Sequence, residues 1–95
     1  MTWALPLSAS RRSVCRKYLE PEASSGEELF SHDGEEAGLI LQGDLILIVE
    51  TNTMVLKTGD CFRFASHRPH RYSNPSPMQN TVVLWVNALP PAIAS

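Results

Sequence analysis

The 95-residue sequence predicts an all-β domain, a small sandwich or barrel. Three observations predict it. No window of a dozen residues carries apolar positions at i, i+3, i+4 and i+7 without a glycine or proline breaking it. Short runs of β-branched and alternating apolar residues recur along the chain. Turn-forming residues punctuate these runs at intervals of roughly 8–12 residues, which allows about seven or eight strands.

The elements follow in order. "SVCRKYL" (13–19) alternates Val14, Arg16 and Tyr18 against Cys15, Lys17 and Leu19, the period of a strand with two unlike faces. "EPEASSGEE" (20–28) is the one loop-like stretch of any length. "AGLILQ" and "DLILIVE" are β-rich runs split by Gly43-Asp44, a bend within or between strands. "TNT" (51–53) is a tight turn, with Asn52 placed to take a positive φ, and "MVLK" returns as the second arm of a hairpin. "TGD" (58–60) turns into the strand "CFRFA". "HRYSN" (70–74) is a further short strand stopped by "NPSP", "NTVVLWVNAL" (80–89) is the last long one, and "PPAIAS" is a tail.

Composition narrows the class. A hydrophobic fraction of 43% and a charged fraction of 19% are ordinary for a globular chain, and the length allows one domain, 1–95, with its core at about 13–90. So short a chain buries only roughly 60–65% of its unfolded surface, so its core is thin and dimerisation would help it. The formal net charge of −2 argues against direct nucleic-acid contact. The local basic cluster Arg11, Arg12, Arg16 and Lys17 reads as the outer face of a strand. Cys15 and Cys61 have no metal-type spacing and read as small buried side chains with no disulfide between them. "MTWALPLSAS" lacks the basic start and the apolar run of a signal peptide, and no run approaches a membrane span. The expected setting is a reduced cytoplasm.

The informative stretch is "SHDGEEAGLILQG" (31–43), where a histidine and three acids abut a core-forming run. Burying an ionised carboxylate costs several kcal/mol unless something partners it. A strand lining a cavity explains the arrangement, because a cavity needs a few converging polar groups. His32 and Glu36 stand before that strand, and His70 lies on a distant hairpin. Two imidazoles and a carboxylate suffice for a divalent ion with open coordination positions. They would equally hold an organic ligand by hydrogen bonds.

These residues resemble the cupin superfamily. His32-x3-Glu36-x6-Gly43 is similar to its first motif, and Gly59-x10-His70-x3-Asn74 to its second. The resemblance spans about residues 15–90 and implies a small cupin β-barrel, the double-stranded β-helix or jelly roll. It implies a metal held by His32, Glu36 and His70, an ion such as Zn, Fe, Mn or Ni. The chain departs from the pattern at Phe30, which stands at the first histidine position, and at Ala65 and His67, which replace the usual Pro and Gly. A closer likeness, carried by His-x-Gly-Glu-Glu-Ala-Gly, Leu-x-x-Gly-Asp and Pro-His-x-x-x-Asn, is to the cupin sensor domain of bacterial helix-turn-helix/cupin regulators of the putrescine-responsive repressor type. It implies a domain that binds a small-molecule effector and passes occupancy to a partner. The alternative is a small metal-dependent cupin enzyme, a dioxygenase or isomerase; the blandest is a dimerisation unit with a vestigial pocket.

The expected ligand-binding set is Phe30, His32, Glu36, Phe64, His70, Tyr72 and Trp85. Trp85 reads first as core and second as pocket wall, and Phe62 shares a face with Phe64. Glu35 faces away from Glu36 in an extended chain. With Glu27, Glu28 and Asp33 it reads as a solvated rim, or as a cation funnel that would suit an amine effector. His67 reads as a surface residue, and Asn74 as a turn or strand-end cap or a group orienting His70. Trp3, Leu5 and Leu7 alternate like a strand needing a neighbour, which a second copy in a homodimer would supply.

Overall fold

Alternation in the sequence becomes seven strands: β1 (Arg11–Leu19), β2 (Glu35–Gln42), β3 (Asp44–Val49), β4 (Asn52–Lys57), β5 (Cys61–Ala65), β6 (His70–Ser73) and β7 (Thr81–Leu89). The computed structural model describes residues 11–89 apart from Glu27 and Phe30. Trp3, Leu5, Leu7, Phe30, Glu27 and the 90–95 tail therefore lie outside the described residues. Among those described there is no helix, and none long and apolar enough to cross a membrane.

The strands form two antiparallel sheets, β1-β7-β2-β5 and β4-β3-β6. The chain crosses between sheets after β2, β4, β5 and β6, which is the winding of a jelly roll. The expected all-β jelly roll is what the protein adopts. Segment 20–34, which carries no strand, touches the free edge of β6 through the isolated bridge Ser24↔Ser73.

The bend at Gly43 is a crossover between sheets. Its φ of +79° suits glycine, and a Cβ there would lie 2.7 Å from Asn80 O. The Thr81 hydroxyl donates to Asp44 O and pins the corner. The β3–β4 turn differs from expectation. Val49 pairs with Asn52, so the loop is Glu50-Thr51, and Glu50 rather than Asn52 takes the positive φ of 56°. A two-residue hairpin loop demands that conformation at its first position when the turn is of the II′ kind.

Residues opposed in antiparallel strands share a face. The inward rows of the larger sheet are therefore Ser13–Asn87–Glu36–Phe64, Cys15–Trp85–Gly38–Phe62 and Lys17–Val83–Ile40. These meet Leu45, Leu47 and Val49 of β3 to make the core. Gly38 is there because the Phe62 ring fills its side-chain space: a Cβ would stand 2.4 Å from that ring. Phe62 in turn meets Trp85 edge-on, with ring centroids 5.0 Å apart.

Two expectations fail on this geometry. Cys15 and Cys61 are exposed free thiols, not small buried side chains. Cys15 faces inward on a strand at the edge of its sheet, beside exposed Ser13, and Cys61 lies on the outer face opposite Leu39. The basic cluster also divides. Arg16 points outward with Val14 and Tyr18, but alternation turns Lys17 inward beside Val83.

Candidate metal and ligand site

Glu36 is the second residue of β2, and its register with Asn87 and Phe64 aims it into the barrel. It is 3% exposed. Glu35, one residue back, points out and pairs with Arg63 at 3.1 Å. His70 opens β6 opposite Val49 and is fully buried. His32 lies outside any strand, but its segment is stitched to the chain after β5: His32 N donates to Ser66 O at 3.0 Å, and Ser66 N donates to Gly34 O at 2.8 Å.

These placements bring the trio together. His32 Nε2 and His70 Nε2 each stand 3.0 Å from Glu36 Oε2, and the three ligand atoms lie within 4.8 Å of one another. The far side of each ring faces a carbonyl: His32 Nδ1 is 3.1 Å from Asp33 O, and His70 Nδ1 is 2.7 Å from Arg68 O. A carbonyl only accepts, so Nδ1 carries the proton and, in a neutral ring, Nε2 presents a lone pair. Glu36 Oε1 accepts from Trp85 Nε1 at 2.9 Å, whereas Oε2 is buried without an aligned hydrogen bond despite the two nearby nitrogens. With both rings neutral, three lone pairs converge on one point. Acceptors do not attract each other; a cation between them, proton or metal, makes the arrangement favourable. Two imidazoles with their second nitrogens tied to carbonyls, plus one carboxylate, are a donor set that fits a divalent ion with open positions.

Of the aromatic residues expected at the site, Phe30 lies outside the described residues, Phe64 touches the trio, and Tyr72 touches Trp85. The Phe64 ring meets His70 at 4.7 Å, and Tyr72 meets Trp85 at 4.8 Å. Trp85 is fully buried core, the first of its two readings, and is also the donor to Glu36. His67 is exposed, as expected. Asn74 is a cap: its amide serves the carbonyls of Leu19, Glu20 and Gln79 and the Ser76 N–H, while Arg68 O serves His70. Of the acidic rim, Glu28 and Asp33 are exposed. A groove of about 680 Å³ between β4 and β5, lined among others by Met54, Leu56, Arg63 and Arg68, shares Phe64 with the cluster but none of its polar trio.

Two inward polar residues were missed by sequence reasoning. Asn87 is the half-buried cross-strand neighbour of Glu36. Counting two residues on from Trp85 would have put it on the inner face, but only the register puts it beside Glu36. Lys17 lies with Nζ 4.3 Å from the Trp85 ring centroid and 5.1 Å from that of Tyr72, donating to the Tyr72 hydroxyl at 3.3 Å. Its membership of a basic run hid this placement.

Residues 16–87 match the Cupin domain family, and the chain belongs to it. The HTH-type transcriptional regulator PuuR of Escherichia coli is 32% identical over 57 residues, 60% of this chain and 30% of that regulator. The chain thus aligns with under a third of that relative's length. Among solved structures, the Cupin_2 domain of an XRE family transcriptional regulator from Enterobacter cloacae superposes with a TM-score of 0.68 at 23% identity, covering 85% of this chain and 83% of that one. A predicted oxalate decarboxylase from Thermotoga maritima superposes with a TM-score of 0.72 at 28% identity, covering 86% and 69%.

Proposed function

We propose that this chain is a small-molecule sensor domain of the kind joined to helix-turn-helix regulators, and that it holds one divalent metal ion through His32 Nε2, Glu36 Oε2 and His70 Nε2. The observation that carries the reading is the convergence of His32 Nε2, Glu36 Oε2 and His70 Nε2, with both Nδ1 atoms facing carbonyls. The likeness to regulator cupin domains supports the sensor role. A bound ion would supply Lewis acidity and open positions for an effector's donor atoms. The protein's own part is to orient the ligands: Trp85 fixes the Glu36 carboxylate, and the carbonyls of Asp33 and Arg68 fix the rings.

Coupling to a partner has a physical basis in His32. Glu36 and His70 stand on strands, while His32 belongs to segment 20–34. Filling the site would add a side-chain tether to the backbone hydrogen bonds that already hold that segment, so an effector that prefers the more tightly held form shifts the population toward it. Protein purified without chelator is expected to carry about one divalent ion per chain by elemental analysis, and His32→Ala and His70→Ala are each expected to lower affinity at least tenfold. Unchanged metal content in both variants would defeat the assignment. The second reading, a metal-dependent cupin enzyme, draws on the likeness to the predicted oxalate decarboxylase; turnover of a small substrate by the loaded protein would favour it.

The chain is further proposed to act as a homodimer. Val14 and Tyr18, each 62% exposed, flank Arg16 on the outer face of the larger sheet, beside half-buried Leu84 and Val86. Exposed apolar side chains on an edge strand suit a two-fold contact with a second copy. Light scattering is expected to give a dimer mass for the native chain and a monomer mass for a Val14→Lys, Tyr18→Glu variant that keeps its strand signal. A monomeric native chain would end this proposal.

A further inference from the structure

The placement of Lys17 deepens the sensor reading by specifying the charge of the effector. Its Cα belongs to the row of Val83 and Ile40, yet its ammonium lies over Trp85, one row nearer Glu36. The side chain therefore leans along the inner face toward the metal-ligating carboxylate. Trp85 joins the two, with Lys17 on its ring and Glu36 on its Nε1. Among the described residues no carboxylate lies within ion-pair distance of Lys17; its polar contact is the Tyr72 hydroxyl. It is a half-buried positive charge held by a phenol and two aromatic faces, with no counter-ion among the described residues.

This charge stands beside space that solvent reaches. Ser13 and Cys15, the inward residues preceding Lys17 on β1, are exposed, and Asn87 opposite Ser13 is half-buried. A divalent ion held by a single carboxylate leaves the interior positive, and Lys17 adds to it. An amine entering there meets like charge. A carboxylate neutralises it, with one end able to reach the ion's open positions and another the ammonium. Glu35, the acid next to Glu36 in the chain, does not offset this, because it is engaged by Arg63.

We propose that the barrel receives a small organic carboxylate, bound between Lys17 and the metal centre, with the Asn87 amide beside it. The inference rests on the metal reading above, and its test is separable from it. Metal-loaded protein is titrated by calorimetry and by thermal shift with malonate, succinate, inorganic phosphate and 1,4-diaminobutane, and metal content is measured after each titration. A carboxylate is expected to bind and raise the Tm while the diamine does nothing. Lys17→Met is expected to weaken that binding at least tenfold, and Lys17→Arg to keep it within a few-fold, with the metal stoichiometry equal in all three proteins. Stabilisation by the diamine or by phosphate in place of the carboxylates would overturn the proposal, as would unchanged carboxylate affinity in a folded Lys17→Met protein. If that variant does not fold, the ranking of carboxylate against diamine on the native chain decides the matter alone. If the protein takes up no metal, the metal reading falls by itself; Lys17-dependent carboxylate binding to the metal-free chain would still sustain this inference, and its absence would end it.

Discussion

Glu36→Gln is expected to separate metal binding from folding. Affinity for a divalent ion should fall by a factor on the order of 100 or more, since an anionic ligand becomes a neutral amide in a site that has no second carboxylate among its three members. The native chain with metal at about 100 times its Kd should gain about 2.7 kcal/mol over the metal-free form. For a domain of this size that is a rise in Tm of roughly 10–20 °C. The variant should show none of it. The metal-free variant should nevertheless be as stable as the metal-free native chain, or more so. A glutamine can keep its oxygen on Trp85 Nε1, as Glu36 Oε1 is now, and turn its amide N–H toward the converging imidazole nitrogens. Converging acceptors are thereby replaced by a donor facing an acceptor. Thermal unfolding of both proteins with and without chelator checks all four states. A metal-free variant several degrees less stable than the metal-free native chain would mean that protons on the histidines, not a metal, hold the site together.

That expectation is built on geometry only partly legible in the sequence. The strands were legible because alternation, glycine and proline are local signals, and Glu35 and Glu36 could be assigned to opposite faces by period alone. The trio was legible because motif spacing tied His32, Glu36 and His70 to a family whose fold folds them inward. Lys17 was hidden because charge clusters are read as solvated; alternation sets it on the face opposite Arg16, and its pairing with Val83 shows that this face is the inner one. Asn87 was hidden because its role depends on register against β2, which the sequence states nowhere. The cysteines misled for a related reason: Cys61 falls by register on the outer face, and Cys15, although on the inner face, lies beside the first half of β1, where the described residues of the facing layer do not reach it. In each case the failing step was tertiary placement rather than local conformation.

The same distinction gives Asn74 the largest expected effect on stability. Its spacing from His70 left a role in orienting that ring open, but the first reading, a turn or strand-end cap, is what the contacts show. Its Nδ2 donates toward the carbonyls of Leu19, Glu20 and Gln79 at 3.0, 3.1 and 2.7 Å, and Oδ1 accepts from Ser76 N at 2.9 Å. These contacts join the end of β1, the start of the following segment and the approach to β7, around a side chain 1% exposed. Three carbonyls around one nitrogen also fix which way the amide points. Asn74→Ala leaves those carbonyls and one N–H without their partner, at about 1–3 kcal/mol for each group that water cannot reach. A loss of about 3–5 kcal/mol is expected, a large part of the roughly 5–15 kcal/mol that holds a domain folded. Asn74→Asp is nearly isosteric and keeps the oxygen for Ser76, yet it should be worse than alanine, because it sets a carboxylate oxygen against three carbonyl oxygens. Urea denaturation of the two variants gives the ranking. An aspartate variant more stable than the alanine one would show that filling the volume, rather than donating to three carbonyls, is what this residue contributes.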